Sequence, residues 1–174
     1  MNQCLKCKNE TFREENFLDI SISITNQQNQ KFDTLHECLE NFFNEEMMEE
    51  SSQIYCEKCK SKTNFMKKTF IKKPPNVLIL HLCRFSYDLK KLNHNVEIPT
   101  ILHLNRFSIK NDKISDAYEL KCVIHHFGNL FGGHYVGSCK DENDDWIVYD
   151  DTNVKNVKNI QSPSNYVLFY VKKR

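Results

Sequence analysis

Glycine is nearly missing from this chain. Four occur in 174 residues, against roughly 12 for average usage. All four fall in FGNLFGGHYVGS, between Phe127 and Ser138. Elsewhere the backbone lacks its most permissive residue, so the cluster marks a place with a special conformational demand. Long apolar runs are missing too. The longest, VLILHLC at Val77–Cys83, falls far short of a bilayer span. The N-terminal MNQCLKCKNE has no apolar h-region, which argues against a signal peptide and for the cytoplasm and/or nucleus, where thiols stay reduced. An excess of charge is absent as well: the formal net charge is +1, and the lysines are scattered among acids. No nucleic acid or membrane partner is therefore expected. The sequence has no internal repeat, no low-complexity tract, no glycine-rich phosphate loop, no HExxH and no GxSxG.

What remains is a chain long enough for one domain with its own core. Its eight cysteines, in a reducing compartment, read as metal ligands, core residues or reactive thiols. Four form two CxxC knuckles, Cys4 and Cys7 in CLKC, and Cys56 and Cys59 in CEKC. Two such turns can close a tetrahedral thiolate site with no open position, which is the pattern of a structural zinc. A surface redox dithiol is the alternative for one pair. Cys38, Cys83, Cys122 and Cys139 lie in periodic apolar segments and read as small core residues.

Periodicity gives the elements. FLDISISI, Phe17–Ile24, alternates as a half-buried strand. Leu35, Cys38, Leu39, Phe42 and Phe43 recur at helical spacing. Thr34 and Glu37 make a capping box for that helix, which is expected to run to about Met48. NFMKKTFI reads as a strand broken by Pro74 and Pro75. VLILHLCRF, Val77–Phe85, reads as a strand buried on both faces. From Tyr118 the chain is strand-like throughout, giving an α+β fold with a mostly antiparallel sheet.

GGHYVGSCK and WIVYDD flank the turn-like DENDD. With Lys140 opposite Trp146, His134 faces Thr152, and Asp150 shares its side of the hairpin; Asp151 points to the other side. A histidine beside a carboxylate is what a thiol or hydroxyl nucleophile needs. The pattern also fits an ordinary polar residue in a glycine-rich turn. His81, His125 and His126 lie on strand patterns and read as structural or solvent-facing. His36, His94 and His103 have no evident carboxylate partner.

Taken in order, CxxC, an amphipathic helix, CxxC, PPNVLILHLCRF, VEIPTILHLN, YELKCVIHHFGNLFGGHYVGSCK, WIVYDDTNV and NYVLFYV resemble the C-terminal half or more of a ubiquitin-specific protease catalytic domain, over about Cys4 to Val171. The resemblance implies a papain-like cysteine-protease palm with zinc-ribbon fingers and no thumb. Residues 1–70 would be the fingers, with the knuckles and one helix, and residues 71–174 the palm. It implies zinc on Cys4, Cys7, Cys56 and Cys59. It makes His134 the catalytic histidine, Asp150 the triad acid and Asp151 an adjacent group that assists or substitutes. Gly128, Phe131, Gly132, Gly133 and Tyr135 would lie along the C-terminal tail of ubiquitin. The implied activity is thiol-dependent hydrolysis at that tail's last glycine, with ubiquitin and ubiquitinated proteins as partners. Cys83 stands where the family commonly has lysine. The family's GNTCYMNS and QQDAxEFL segments and its oxyanion-hole amide have no counterpart here, so the chain alone is expected to be inactive and to expose apolar palm surface. A ubiquitin-binding module that does not cut is the alternative.

Overall fold

The computed structural model describes residues 1–48, 52–109 and 117–173. In chain order the elements are β1 (Asn2–Cys4), β2 (Glu10–Thr11), β3 (Ile20–Ser23), α1 (Leu35–Phe43), β4 (Glu46–Met48), β5 (Ile54–Cys56), β6 (Ser61–Thr63) and β7 (Phe65–Lys67). They continue with β8 (Val77–Cys83), β9 (Ile101–His103), β10 (Ala117–Gly128), β11 (Gly133–Lys140), β12 (Trp146–Asp150), β13 (Asn153–Val157) and β14 (Asn165–Lys172). The large sheet runs β13-β12-β11-β10-β14-β8-β3, with β9 also on β10. Its pairs are antiparallel except β3 with β8. A four-stranded sheet, β2-β1-β7-β4, and the hairpin β5-β6 carry the two knuckles.

Two cores follow from the side-chain pattern. Ile20, Ile22 and Ile24 on β3 and its edge, Leu35, Cys38, Leu39 and Phe43 on α1, Leu78, Leu80 and Leu82 on β8, and Leu168 and Tyr170 on β14 form the larger one. The smaller gathers Cys4, Cys56 and Phe65, with Cys7, Met48, Ile54 and Cys59 against it. Residues Ile20–Phe43 lie in the larger core, so the chain enters that core before it completes the smaller one. No helix of the described residues is long and apolar enough to cross a membrane.

Three elements differ from their sequence pattern. The strand expected from Phe17 begins at Ile20; Leu18, although in phase, is exposed. The helix has its capping box: the Glu37 N–H donates to Thr34 Oγ1, and the Glu37 carboxylate accepts from the N–H groups of Asp33 and Thr34. It stops at Phe43, however, because Asn44 turns to extended backbone and its side chain accepts from the Glu45 N–H. The methionines beyond it pair with β7 instead, Met48 opposite Phe65. Strand β8 is buried on one face. Leu78, Leu80 and Leu82 are wholly covered, whereas Ile79, His81 and Cys83 are half-buried, because α1 and the core elements pack on the leucine side.

Scarce glycine has a visible consequence. Lys8, Asn29, Lys60, Leu89, Asp144 and Asp151 all take positive φ, with values of 50° to 64°. Turns that glycine would make without strain are made here by residues with a Cβ.

Arg84 follows β8 and is fully buried. Its guanidinium donates to the carbonyls of Asn165 (2.5 Å), Leu92 (2.9 Å) and His94 (3.0 Å). It thereby ties the 86–94 loop to β14. Burial lowers its pKa to about 10, which leaves it charged at neutral pH.

Candidate active site and metal centre

The turn between β11 and β12 sets the geometry of the histidine. Asp141 Oδ1 accepts from the N–H groups of Asn143 (2.8 Å) and Asp145 (2.9 Å), and Asp144 takes φ 64°. The register that follows is Lys140 opposite Trp146, continuing to Gly137 opposite Tyr149. His134 and Asp150 therefore share the face of Val136 and Trp146. They meet at the hairpin's open end, with His134 Nε2 and Asp150 Oδ1 2.5 Å apart. Both side chains are about half exposed, 47% and 42%. The hydrogen bond that His134 donates to Asp150 raises the His134 pKa and outweighs the desolvation that lowers it. With Nε2 taken up, Nδ1 is the nitrogen left for proton exchange with a nucleophile or leaving group.

Asp151 does not point to the other side as strand parity predicts. Its φ of 50° ends the extended backbone one residue after Asp150, and β13 folds back with Asn153 opposite Asp150. The Asp151 carboxylate thus lies within 4.8 Å of both His134 and Asp150 and adds to the rise in the histidine's pKa.

The glycines serve the loop before His134. Gly128 closes β10 at φ 114°, where a Cβ would stand 2.5 Å from the Gly132 carbonyl oxygen. At Gly133 a Cβ would meet His126 Nε2 at 2.3 Å and the Phe127 oxygen at 2.4 Å. Asn129 Oδ1 accepts from the N–H groups of Phe131 and Gly132 and holds the loop's tip. Phe131 stands 88% exposed beside it. Tyr135 lies on the opposite face from His134, its ring 4.8 Å from that of His126.

His126 is a residue that pattern reading undervalues. It is buried, forms the floor under Gly133, and its ring neighbours Phe85, Tyr135 and Tyr166. Its carbonyl accepts from Lys91 Nζ at 2.5 Å. A small cavity of about 250 Å³ opens between Lys91, His126, Phe127 and Gly128 on one side and Ser162–Ser164 on the other. A larger cleft of about 850 Å³, lined by Met1, Phe12, Phe70 and Ile109 among others, includes none of the candidate site residues. His125 is buried with Nε2 2.7 Å from Ser138 Oγ, a structural placement. His36, against expectation, has a carboxylate: Glu40 lies 3.1 Å away, one helical turn on.

The knuckles converge. Cys4 and Cys59 sulfurs are 3.9 Å apart, Cys7 and Cys56 sulfurs 3.6 Å, and all four lie within 4.8 Å of one another. Four sulfurs at about 2.3 Å from a tetrahedral zinc would be separated by about 3.8 Å, so the set fits that ion. Both knuckles have one design. The N–H of Lys8 donates to the Cys4 carbonyl and that of Lys60 to the Cys56 carbonyl, with each lysine at positive φ. Thr63 Oγ1, 3.2 Å from Cys4 Sγ, is the main influence lowering that thiol to about 6. Contact with the Cys7 sulfur, then burial, pushes Cys59 up to about 12. A dication would reverse that second shift, since metal-bound thiols are deprotonated.

The other four cysteines lie away from His134. Cys38 is fully buried on α1, and its thiol is raised to about 12 by burial. Cys83 sits opposite Ser23 in the register of β8 with β3. Cys122 and Cys139 face each other across β10 and β11, and Cys139 is odd-numbered on the strand where His134 is even, so it projects to the other face.

Comparison with known proteins gives this arrangement its context. The model of the family described as ubiquitin carboxyl-terminal hydrolase matches residues 46–170. Ubiquitin carboxyl-terminal hydrolase 4 of Arabidopsis thaliana is 35% identical over 158 residues, covering 88% of this chain and 41% of the relative. Ubiquitin carboxyl-terminal hydrolase 13 of Saccharomyces cerevisiae is 36% identical over 183 residues, covering 97% of this chain and 24% of the relative. Among solved structures, the SAGA Ubp8/Sgf11/Sus1/Sgf73 DUB module bound to ubiquitin aldehyde contains a chain that matches with a TM-score of 0.86 at 28% identity, covering 99% of this chain and 40% of that one. A point variant of the same module, bound to monoubiquitin, matches with a TM-score of 0.86 at 29% identity, covering 99% of this chain and 39% of that one. The chain thus spans about two fifths or less of the length of these relatives. The mostly antiparallel sheet with few helices, and the cysteine cluster near its N-terminal end, are the fold of that catalytic domain. On the family match and these identities, the chain belongs to the ubiquitin carboxyl-terminal hydrolase family.

Proposed function

We propose that this chain is the histidine-bearing part of a thiol-dependent deubiquitinase. The observation that carries the reading is the 2.5 Å contact of His134 Nε2 with Asp150 Oδ1, at the mouth of a glycine-bounded loop in a chain of this family. Asp150 holds the imidazole by one nitrogen, and Nδ1 faces the chemistry. A cysteine thiolate attacks the carbonyl carbon of ubiquitin's terminal glycine. The His134 imidazolium then protonates the departing lysine amine, and the neutral ring activates the water that releases ubiquitin. Asp151, close to both groups, assists Asp150. The sulfur comes from outside these 174 residues, because four of the chain's eight cysteines form the metal cluster and the others lie on α1, β8, β10 and β11. Gly128, Gly132 and Gly133 let the backbone lie close along an extended tail, with Phe131 and Tyr135 flanking it. Cys4, Cys7, Cys56 and Cys59 hold a zinc that braces the small sheets as fingers, and the large sheet serves as palm. Ubiquitin and ubiquitinated proteins are the partners, in the cytoplasm and/or nucleus.

The test joins this chain to a family segment that carries the nucleophile and challenges it with ubiquitin bearing a thiol-reactive C-terminus. Covalent labelling is expected, and His134→Ala should slow it at least about 100-fold, the low end of what a general acid–base contributes. Labelling at an undiminished rate would remove His134 from the mechanism. A second reading, a module that holds ubiquitin without cutting, is favoured by the placement of all eight cysteines away from His134. It predicts that ubiquitin perturbs the NMR signals of the Gly128–Tyr135 loop in the 174-residue chain alone, and that adding the nucleophile segment produces no cleavage.

A further inference from the structure

We infer that Cys122 and Cys139 form a reversible dithiol–disulfide site on the hairpin that carries His134. The two stand directly opposite in the β10–β11 register, which is unbroken from Cys122–Cys139 to Gly128–Gly133. Two backbone bonds fix the kind of pair this is. Asn129 N–H donates to the Gly132 carbonyl at 3.0 Å, making 129–132 a hydrogen-bonded position; His126 N–H turns away from β11 to the Ser164 carbonyl at 2.8 Å. Counting back by twos, Val123 and His125 exchange bonds with β11, while Cys122, Ile124 and His126 do not. On the far side, Asp141 N–H donates to the Asp145 carbonyl, so Cys139 directs its own backbone groups to β12. Cys122 and Cys139 are therefore a non-hydrogen-bonded antiparallel pair. Such pairs bring Cα atoms to about 4.5 Å with the side chains close, inside the range of about 4.4–6.8 Å that a disulfide spans.

The remaining thiols have no comparable partner among the described residues. The knuckle cysteines belong to the metal cluster, Cys38 is buried on a helix, and Cys83 faces Ser23. Cys122 and Cys139 are both only half-buried, on the sheet face away from His134. With hydrogen peroxide as oxidant, one of the two sulfurs attacks one peroxide oxygen and the O–O bond breaks. This leaves a sulfenic acid and one water. The sulfur opposite then displaces the sulfenic oxygen as a second water, and the S–S bond forms. Two electrons pass from two thiols to one peroxide, and both thiol protons end in water. The bond would staple β10 to β11 at a distance along the strand from His134, without entering the His134–Asp150 contact.

Trypsin makes the site easy to read. Cleavage after Lys121 and Lys140 yields one peptide, Cys122–Lys140, which contains these two cysteines, no others, and no methionine. The zinc-loaded chain is treated with hydrogen peroxide, alkylated and digested. The peptide is expected two hydrogens lighter than its reduced form, unalkylated, and doubly alkylatable once dithiothreitol has been added. Cys122→Ser and Cys139→Ser, each confirmed folded by circular dichroism, should each abolish the light species. Recovery of the wild-type peptide doubly alkylated, or with its two sulfurs separately oxygenated, would overturn the proposal.

Discussion

At the scale of single residues, the His134–Asp150 pair has a consequence that pH exposes. Asp150 raises the histidine's pKa, so the folded protein holds that proton more tightly than the unfolded chain does. The pair's contribution to stability is full below the unfolded value, roughly 6.5, and is lost as pH rises through the raised folded value. The NMR titration of the His134 ring should therefore have its midpoint above roughly 6.5, and Asp150→Asn should lower it. An unmoved midpoint would mean that the contact does not hold the proton. Asp150 is legible in the sequence because the register of a hairpin fixes parity, and Lys140 does face Trp146. The side on which Asp151 lies is not, because parity holds only while the backbone stays extended, and its φ is 50°.

At the scale of elements, the two knuckles are one turn used twice. Each places a lysine, Lys8 or Lys60, in the left-handed region where its N–H reaches back to the first cysteine's carbonyl. A side chain there costs about 1–2 kcal/mol, while glycine gives back roughly 0.5–1 kcal/mol in unfolded-state entropy. Lys60→Gly should therefore stabilise the protein by up to about 1 kcal/mol. The exposed Lys60–Glu57 ion pair that it removes contributes little. Urea unfolding of the zinc-loaded protein checks this, and a loss of stability would show that the lysine side chain does more than occupy the turn. Other elements show what periodicity conveys and what it leaves out. The alternation in Ile20, Ile22 and Ile24 and the Thr34–Glu37 cap are local properties, and both are present. The end of α1 is not local: Met47 and Met48 continue an apolar pattern that suits a helix, but pairing with β7 claims them.

At the scale of the whole molecule, two cores share one chain. The smaller is built around the four knuckle sulfurs and little else, too small to hold its sheets by apolar burial alone, so a metal bound there would supply much of its folding energy. The larger rests on α1 and the leucine face of β8. Protein prepared with zinc under reducing conditions should contain about one ion per molecule, and Cys56→Ser should reduce that content. Chelation should melt the knuckle sheets, seen as lost amide protection in β1, β4, β5, β6 and β7, while the larger sheet, β3 included, keeps its protection. Unfolding of both together, or no metal at all, would contradict the two-core picture. The face of the large sheet opposite the leucines leaves Val77, Tyr135, Tyr149 and Val171 exposed.

The order of strands and helix, the pairing of cysteines within each knuckle and the side of the hairpin on which Asp150 lies are all written in the chain. They depend on spacing, on turn chemistry and on a period of two, which act within a few residues. Three other features come from the folded molecule alone. His126 lies beneath Gly133, Arg84 binds three carbonyls, and Cys122 faces Cys139 at a non-hydrogen-bonded position. Each of these joins segments whose relative register is set by how the whole sheet buries its apolar face, and no local pattern carries that information.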